Sequence, residues 1–155
     1  MVMAALLFIR RIAITTTVSR ITPEDLRDGR VHVLQGKQIP GYVAIYRIHG
    51  PFLFGSTDKI REIHDRMEDL PEIVVLRLRN MTALDATGLL AIEDLAKRLR
   101  ETGRTLLVCG AREQPASLMR QAGFERHVGR DNVCDNVLAA LERARALHET
   151  RTVPA

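Results

Sequence analysis

The chain has 155 residues, a formal net charge of +4, and 46% hydrophobic against 27% charged residues, which suits one compact globular domain with a real core. Aromatics make up only 4%, with no Trp, which argues against a base-stacking platform for single-stranded nucleic acid. The basic residues are spread along the chain instead of forming a stripe, so no nucleic-acid partner is expected.

In chain order, MVMAALLFI is apolar over nine residues and is followed by Arg10-Arg11. A spanning helix needs about 20 residues, so this stretch is too short to cross a bilayer. Its charge also follows the apolar run, which is the wrong order for a signal peptide. The pattern is that of the last turns of a longer membrane helix with cytoplasmic positive charges, and residues 1–14 are assigned as that truncated end. Residues 15–30, Thr-rich and broken by Pro23, read as a linker with a short helical turn at Pro23 capped by Thr22. The domain proper is expected over residues 31–150, with 151–155 as a frayed tail.

Within the domain, residues 31–37 suit a short strand, and Pro40-Gly41 marks a turn before a strand over 42–49. Gly50-Pro51 interrupts that strand, and FLF continues extended. Ile60, Ile63 and Met67 predict a helix over 56–69, capped by Ser56 or Thr57 and stopped by Pro71. IVVLRLR (73–79) reads as a central strand covered on both faces. A helix from about 87 to 101 follows, closed by Gly103, then a buried strand over 105–109 that completes a right-handed parallel crossover. Pro115 opens PASLMRQA, a helix ended by Gly123, and FERHV reads as a short edge strand. The last helix is expected to be capped by Asp131 or Asn132, with Val133, Val137, Leu141 and Ala144 on one face. The order β-β-α-β-α-β-α-β-α gives an α/β fold with a mixed sheet.

No enzyme constellation stands out. The five histidines share no metal-binding helical spacing, and there is no G-x-S-x-G elbow. GRVHVLQGK ends in Gly-Lys, but six residues separate its glycines and Gln38 replaces the Mg²⁺-binding hydroxyl, so it is no phosphate loop. The two cysteines give neither a disulfide framework nor a metal site, and fit a reduced setting. Cys109, in LLVCG, reads as a small buried hydrophobe. No catalytic residue, metal or cofactor is assigned.

The one stretch with functional promise is LDATG, at a strand-to-helix turn. Asp85 is placed to cap the helix, and the N–H groups of Ala86, Thr87 and Gly88 lie at the positive end of its dipole. Those amides offer an anion or nucleotide cradle. Gly88 permits close approach of another surface. A phosphate on Thr87 would add roughly −2 charge beside Asp85.

A strand, then Asp-(small)-(Ser/Thr)-Gly, then an amphipathic helix, a Gly and a buried strand, resembles the STAS domain. That domain occurs in bacterial anti-sigma factor antagonists and at the C-terminus of SulP (sulfate permease) anion transporters. IPGYVAIYRIHGPFLFGSTDKI resembles the opening segment of the transporter branch. LLFIRRIAITTTV is similar to the exit of the transporter's last membrane helix, and RQAGFERHVGRDNVCDNVLAAL to the domain's closing helix–strand–helix.

The resemblance implies a mixed sheet of four to five strands with about four helices, packed against one side. It implies a non-catalytic regulatory and assembly module on the cytoplasmic face of the bacterial plasma membrane, soluble as an isolated fragment. The implied partners are the membrane domain of the same transporter, a second protomer and a soluble regulator. Some family members associate with acyl carrier protein or guanine nucleotides, and no residue here selects either. In the antagonist branch the hydroxyl residue before the motif Gly is the kinase target, so the alternative is a free-standing antagonist switched at Thr87. Ala86 stands where that branch commonly has a second hydroxyl.

Overall fold

A computed structural model describes residues 15–27 and 38–152, together with Met3, Leu7 and Leu34. Five strands form one sheet in the order β1-β2-β3-β4-β5: β1 Thr17–Arg20, β2 Val43–Phe52, β3 Ile73–Leu84, β4 Thr105–Cys109 and β5 Val133–Cys134. β1 is antiparallel to β2, and the remaining pairs are parallel. Six α-helices lie among the described residues: α1 Pro23–Arg27, α2 Arg61–Asp65, α3 Ala86–Glu101, α4 Glu113–Gln121, α5 Glu125–Val128 and α6 Val137–Thr152. The mixed α/β architecture is the expected one.

Side-chain alternation divides the core. Ala44, Tyr46 and Ile48 of β2, with Val74, Leu76 and Leu78 of β3, point to one face. There they meet Ile63 of α2, Ile92, Leu95 and Leu99 of α3, Met119 of α4 and Phe124. Val43, Ile45, Ile73, Val75 and Leu107 point to the other face, against Val137, Ala140 and Ala144 of α6. Helices therefore cover both faces, where the resemblance implied one. Double coverage explains why IVVL at the start of β3 is continuously apolar. Each fully buried large aliphatic side chain contributes roughly 1.5–3 kcal/mol. α6 is also fixed near its C-terminal end, where the His148 ring stacks on Tyr42 at 3.9 Å and Nδ1 lies 3.2 Å from Glu72 Oε2.

Several elements differ from expectation. The presumed linker over 15–30 supplies β1 and α1, so it is part of the sheet and its cover. The strand expected over 31–37 lies outside the described residues except for Leu34, which is buried in a 3₁₀ turn. The apolar end over 1–14 likewise lies outside them, except for Met3 and Leu7, both helical and exposed. At the other end, Arg151 is not frayed: it donates to Thr105 Oγ1 at 2.7 Å, and α6 continues through Thr152.

The helix expected over 56–69 is broken into a 3₁₀ segment (Phe54–Ile60), α2, and a further 3₁₀ turn (Met67–Asp69). Ser56 is buried instead of capping from outside. Its Oγ accepts from the Leu53 N–H at 3.0 Å and faces the Leu53 carbonyl at 2.9 Å, which holds a tight turn. FERHV is helical, not an edge strand. Gly123 turns the chain at φ +70°, the Gly129 N–H then reaches the Glu125 carbonyl at 2.7 Å, and Phe124 and Val128 pack on the same cluster. The last helix starts later than expected. Asn136 caps it, its Oδ1 accepting from Leu138 and Ala139 N–H at 3.0 Å each, while Val133 belongs to β5 and not to the helix face.

Two polar atoms on the first core face are buried without a partner among the described residues, the Tyr46 hydroxyl and His64 Nε2. Burial, aided by the Arg98 charge, lowers the His64 pKa below its usual 6.5. The unfolded chain therefore takes up a proton before the folded one does. Above pH 6.5 both forms are neutral, and stability falls as pH drops from there through the lower folded value. His64→Leu is expected to flatten that acid limb in melts taken across this range, and an unchanged limb would exclude His64 as its source.

Candidate functional site

The sequence-predicted loop follows β3 and opens α3, as expected. Asp85 is the N-cap in extended conformation, and its Oδ1 accepts from the Gly88 N–H at 2.7 Å. Its Oδ2 accepts from the Phe54 N–H at 3.0 Å, a bond not foreseen from sequence. One carboxylate thus ties the helix start to the segment leaving β2. Gln114 of α4 braces the other side, donating to the Leu84 carbonyl at 2.8 Å and accepting from the Leu84 N–H at 3.0 Å. This pairs the end of β3 as a neighbouring strand would.

The surface that approaches Gly88 belongs to the domain itself. A Cβ on Gly88 would stand 2.3 Å from the Phe52 carbonyl oxygen and 2.9 Å from Leu84 Cδ1. Gly88 is buried and structural. Ala86 and Thr87 are exposed. The four residues named from sequence are therefore adjacent but do different work: Asp85 and Gly88 hold the turn, while Ala86 and Thr87 face solvent. The Thr87 hydroxyl makes no hydrogen bond among the described residues. As an anion cradle the loop is compromised, because the Gly88 N–H is engaged by Asp85 and any anion would face that carboxylate.

Two further residues were missed. Phe54 is 70% exposed and Leu90 63%, and they flank the turn. Leu90 lies three residues after Thr87 and four after Ala86, so it shares their face of α3. Phe54 is tied to the loop through Asp85. The Phe54 signal was visible in the FLF run, but nothing there separates an exposed phenylalanine from a buried one.

The chain also enters the sheet at this end. Thr17 pairs with His49, and the buried Thr16 donates from Oγ1 to the Pro51 carbonyl, next to the Phe52 that meets Gly88. Among the described residues no helix is long and apolar enough to cross a membrane, and no His/Cys/Asp/Glu group could hold a metal.

The family model of the STAS domain matches residues 35–140. The chain belongs to the STAS domain family. A solved relative, a sulfate transporter family protein from Wolinella succinogenes, is 33% identical over 73% of this chain and 93% of its own, with a TM-score of 0.67. The STAS domain of a SulP transporter from Vibrio cholerae is 25% identical over 81% of this chain and 98% of its own, with a TM-score of 0.62. In Bacillus subtilis, the candidate sulfate transporter YvdB is 21% identical over 137 residues, which is 88% of this STAS chain. The STAS chain spans only 24% of that protein's length. These three relatives are sulfate or SulP transporter proteins or domains, and the mixed α/β fold of this chain matches the two that are solved.

Proposed function

We propose that this STAS domain is the non-catalytic cytoplasmic regulatory and interaction module of a sulfate-class SulP anion transporter, held at the plasma membrane and acting through the start of α3. Exposed Phe54 and Leu90 on either side of exposed Thr87, on a turn braced by Asp85 and Gln114, carry this reading. Large apolar side chains on a rigid exposed turn favour a protein contact. The partners that fit are the membrane domain of the same transporter, a second protomer and a soluble regulator. The entry of the chain beside Pro51 supports the first, because it puts the turn at the same end of the domain as Thr16, where the described sheet segment begins.

The test is anion uptake by cells making the full transporter with Phe54→Ser and Leu90→Ser. Uptake or its regulation is expected to change severalfold at equal membrane abundance. Unchanged uptake would refute the contact. An immunoblot of separated fractions tests the transporter itself: a membrane band far above 17.4 kDa supports it. A soluble band near 17.4 kDa would favour the anti-sigma antagonist alternative.

Thr87 is proposed as the acceptor of a regulatory phosphate. Its added charge of roughly −2 would sit at the helix start but beside Asp85, so it would alter the face that Leu90 shares. Mass spectrometry of protein from anion-starved and anion-replete cells is expected to show the Thr87 phosphate in one state. Its absence from both would remove the switch.

A further inference from the structure

We propose that the cavity at the C-terminal end of β4, beside the middle of β3 and the start of α6, binds inorganic phosphate. It measures about 360 Å³ and is lined by Arg77, Arg79, Cys109, Asp135, Asn136 and Leu138, at the lower end of the size range of small-ligand sites.

The argument begins with charge. Arg47 and Arg77 stand directly opposite each other on β2 and β3. Like charges in that position destabilise a sheet. Arg47 is compensated, because its Nε donates to Ser19 Oγ at 3.0 Å and its guanidinium lies 3.9 Å from Asp25. Arg77 is not. It is half-buried, and its guanidinium makes no hydrogen bond or ion pair among the described residues. The Arg79 guanidinium is also unpaired there. Burial, with Arg79 and Arg47 close by, lowers the Arg77 pKa, as expected of a cation lacking its counter-ion. Half-buried Arg77 and exposed Arg79, two apart on β3, line the one cavity and can offer donors in fork geometry to a tetrahedral oxyanion. The positive end of the 16-residue helix α6 adds to the field, although Asn136 already occupies the Leu138 and Ala139 N–H groups.

Asp135 selects which oxyanion. It lines the same cavity, and an ionised carboxylate only accepts hydrogen bonds. Sulfate near neutral pH has no proton to donate and would be repelled. Hydrogenphosphate keeps an O–H that can bond Asp135 while its other oxygens face the arginines. The site therefore prefers phosphate to sulfate. This inference stands apart from the α3 contact surface and does not depend on it.

Isothermal titration of the full chain against inorganic phosphate and sulfate at matched ionic strength tests it. Phosphate is expected to bind about tenfold or more tightly than sulfate, as one charge-assisted hydrogen bond gained or lost implies. Arg77→Gln is expected to weaken phosphate binding by about tenfold or more without lowering the ligand-free melting temperature, and Asp135→Asn to narrow the preference. Arg79→Gln serves if Arg77→Gln does not fold. Absence of phosphate binding, equal or tighter binding of sulfate, or phosphate binding unchanged in the arginine variants would overturn the proposal. So would an Asp135→Asn protein that keeps the full preference.

Discussion

Gly88→Ala is expected to be the most damaging conservative change in the domain, costing about 3 kcal/mol and lowering the melting temperature by roughly 6–12 °C. The added methyl would stand 2.3 Å from a backbone oxygen of Phe52, and backbone at the end of β2 cannot swing aside as a flexible side chain would. The first turn of α3 would have to lift, stretching the 2.7 Å bond from Gly88 N–H to Asp85 and carrying exposed Thr87 with it. Gly41→Ala is the control. Its Cβ meets nothing within 4 Å and its φ is not positive, so the melt should stay put or rise slightly. Thermal melts of both proteins settle the matter. A Gly88→Ala domain as stable as wild type would mean that the helix start is not clamped to β2.

Asp85→Ala is the second. The cap on Gly88 is worth about 0.5–2 kcal/mol. The second bond, from the Phe54 N–H, is more exposed and adds less, so a total near 2 kcal/mol and a drop of roughly 4–8 °C are expected. Asp85→Asn should recover much of this, since its single side-chain oxygen can still accept from Gly88. The readout specific to the bridge is local. Hydrogen exchange at Phe54 should accelerate in Asp85→Ala along with exchange at Gly88. If only Gly88 responds, Asp85 is an ordinary cap and does not join the two segments.

The strand-to-helix turn at Asp85 was legible because three local signals agree there: an apolar strand run, a capping residue and helical spacing of Leu89, Ile92, Leu95 and Leu99. The role of Gly88 was not, because the atom that requires it lies on Phe52, distant in sequence and brought near only by the parallel pairing of β2 with β3. β1 was hidden for the opposite reason. TVSR is a short, mostly polar edge strand that buries little, so it carries no alternating apolar signal. FERHV misled because Phe124 and Val128 fit spacings of both two and four, and only the turn at Gly123 decides between them. In the last helix, Asp131, Asn132 and Asn136 are all good caps, but the first two fall in a 3₁₀ turn (Arg130–Asn132) and β5 follows it, so only Asn136 stands at the helix start.

The antiparallel seating of β1 also has a mechanical consequence. Thr17 lies opposite His49, near the end of β2 that adjoins the Asp85 turn, and Arg20 lies opposite Tyr46, deeper in the sheet. Tension applied through the segment before Thr15, along the strand axis, would load the β1–β2 hydrogen bonds in shear, since those bonds run perpendicular to the strands. Shear strains all of them together, whereas peeling would break them one at a time. The buried Thr16 bond to Pro51 sits at the point where the load enters. A pull on the N-terminal segment would therefore move the sheet and the Asp85 turn as one rigid lever arm before it could strip β1 from the edge.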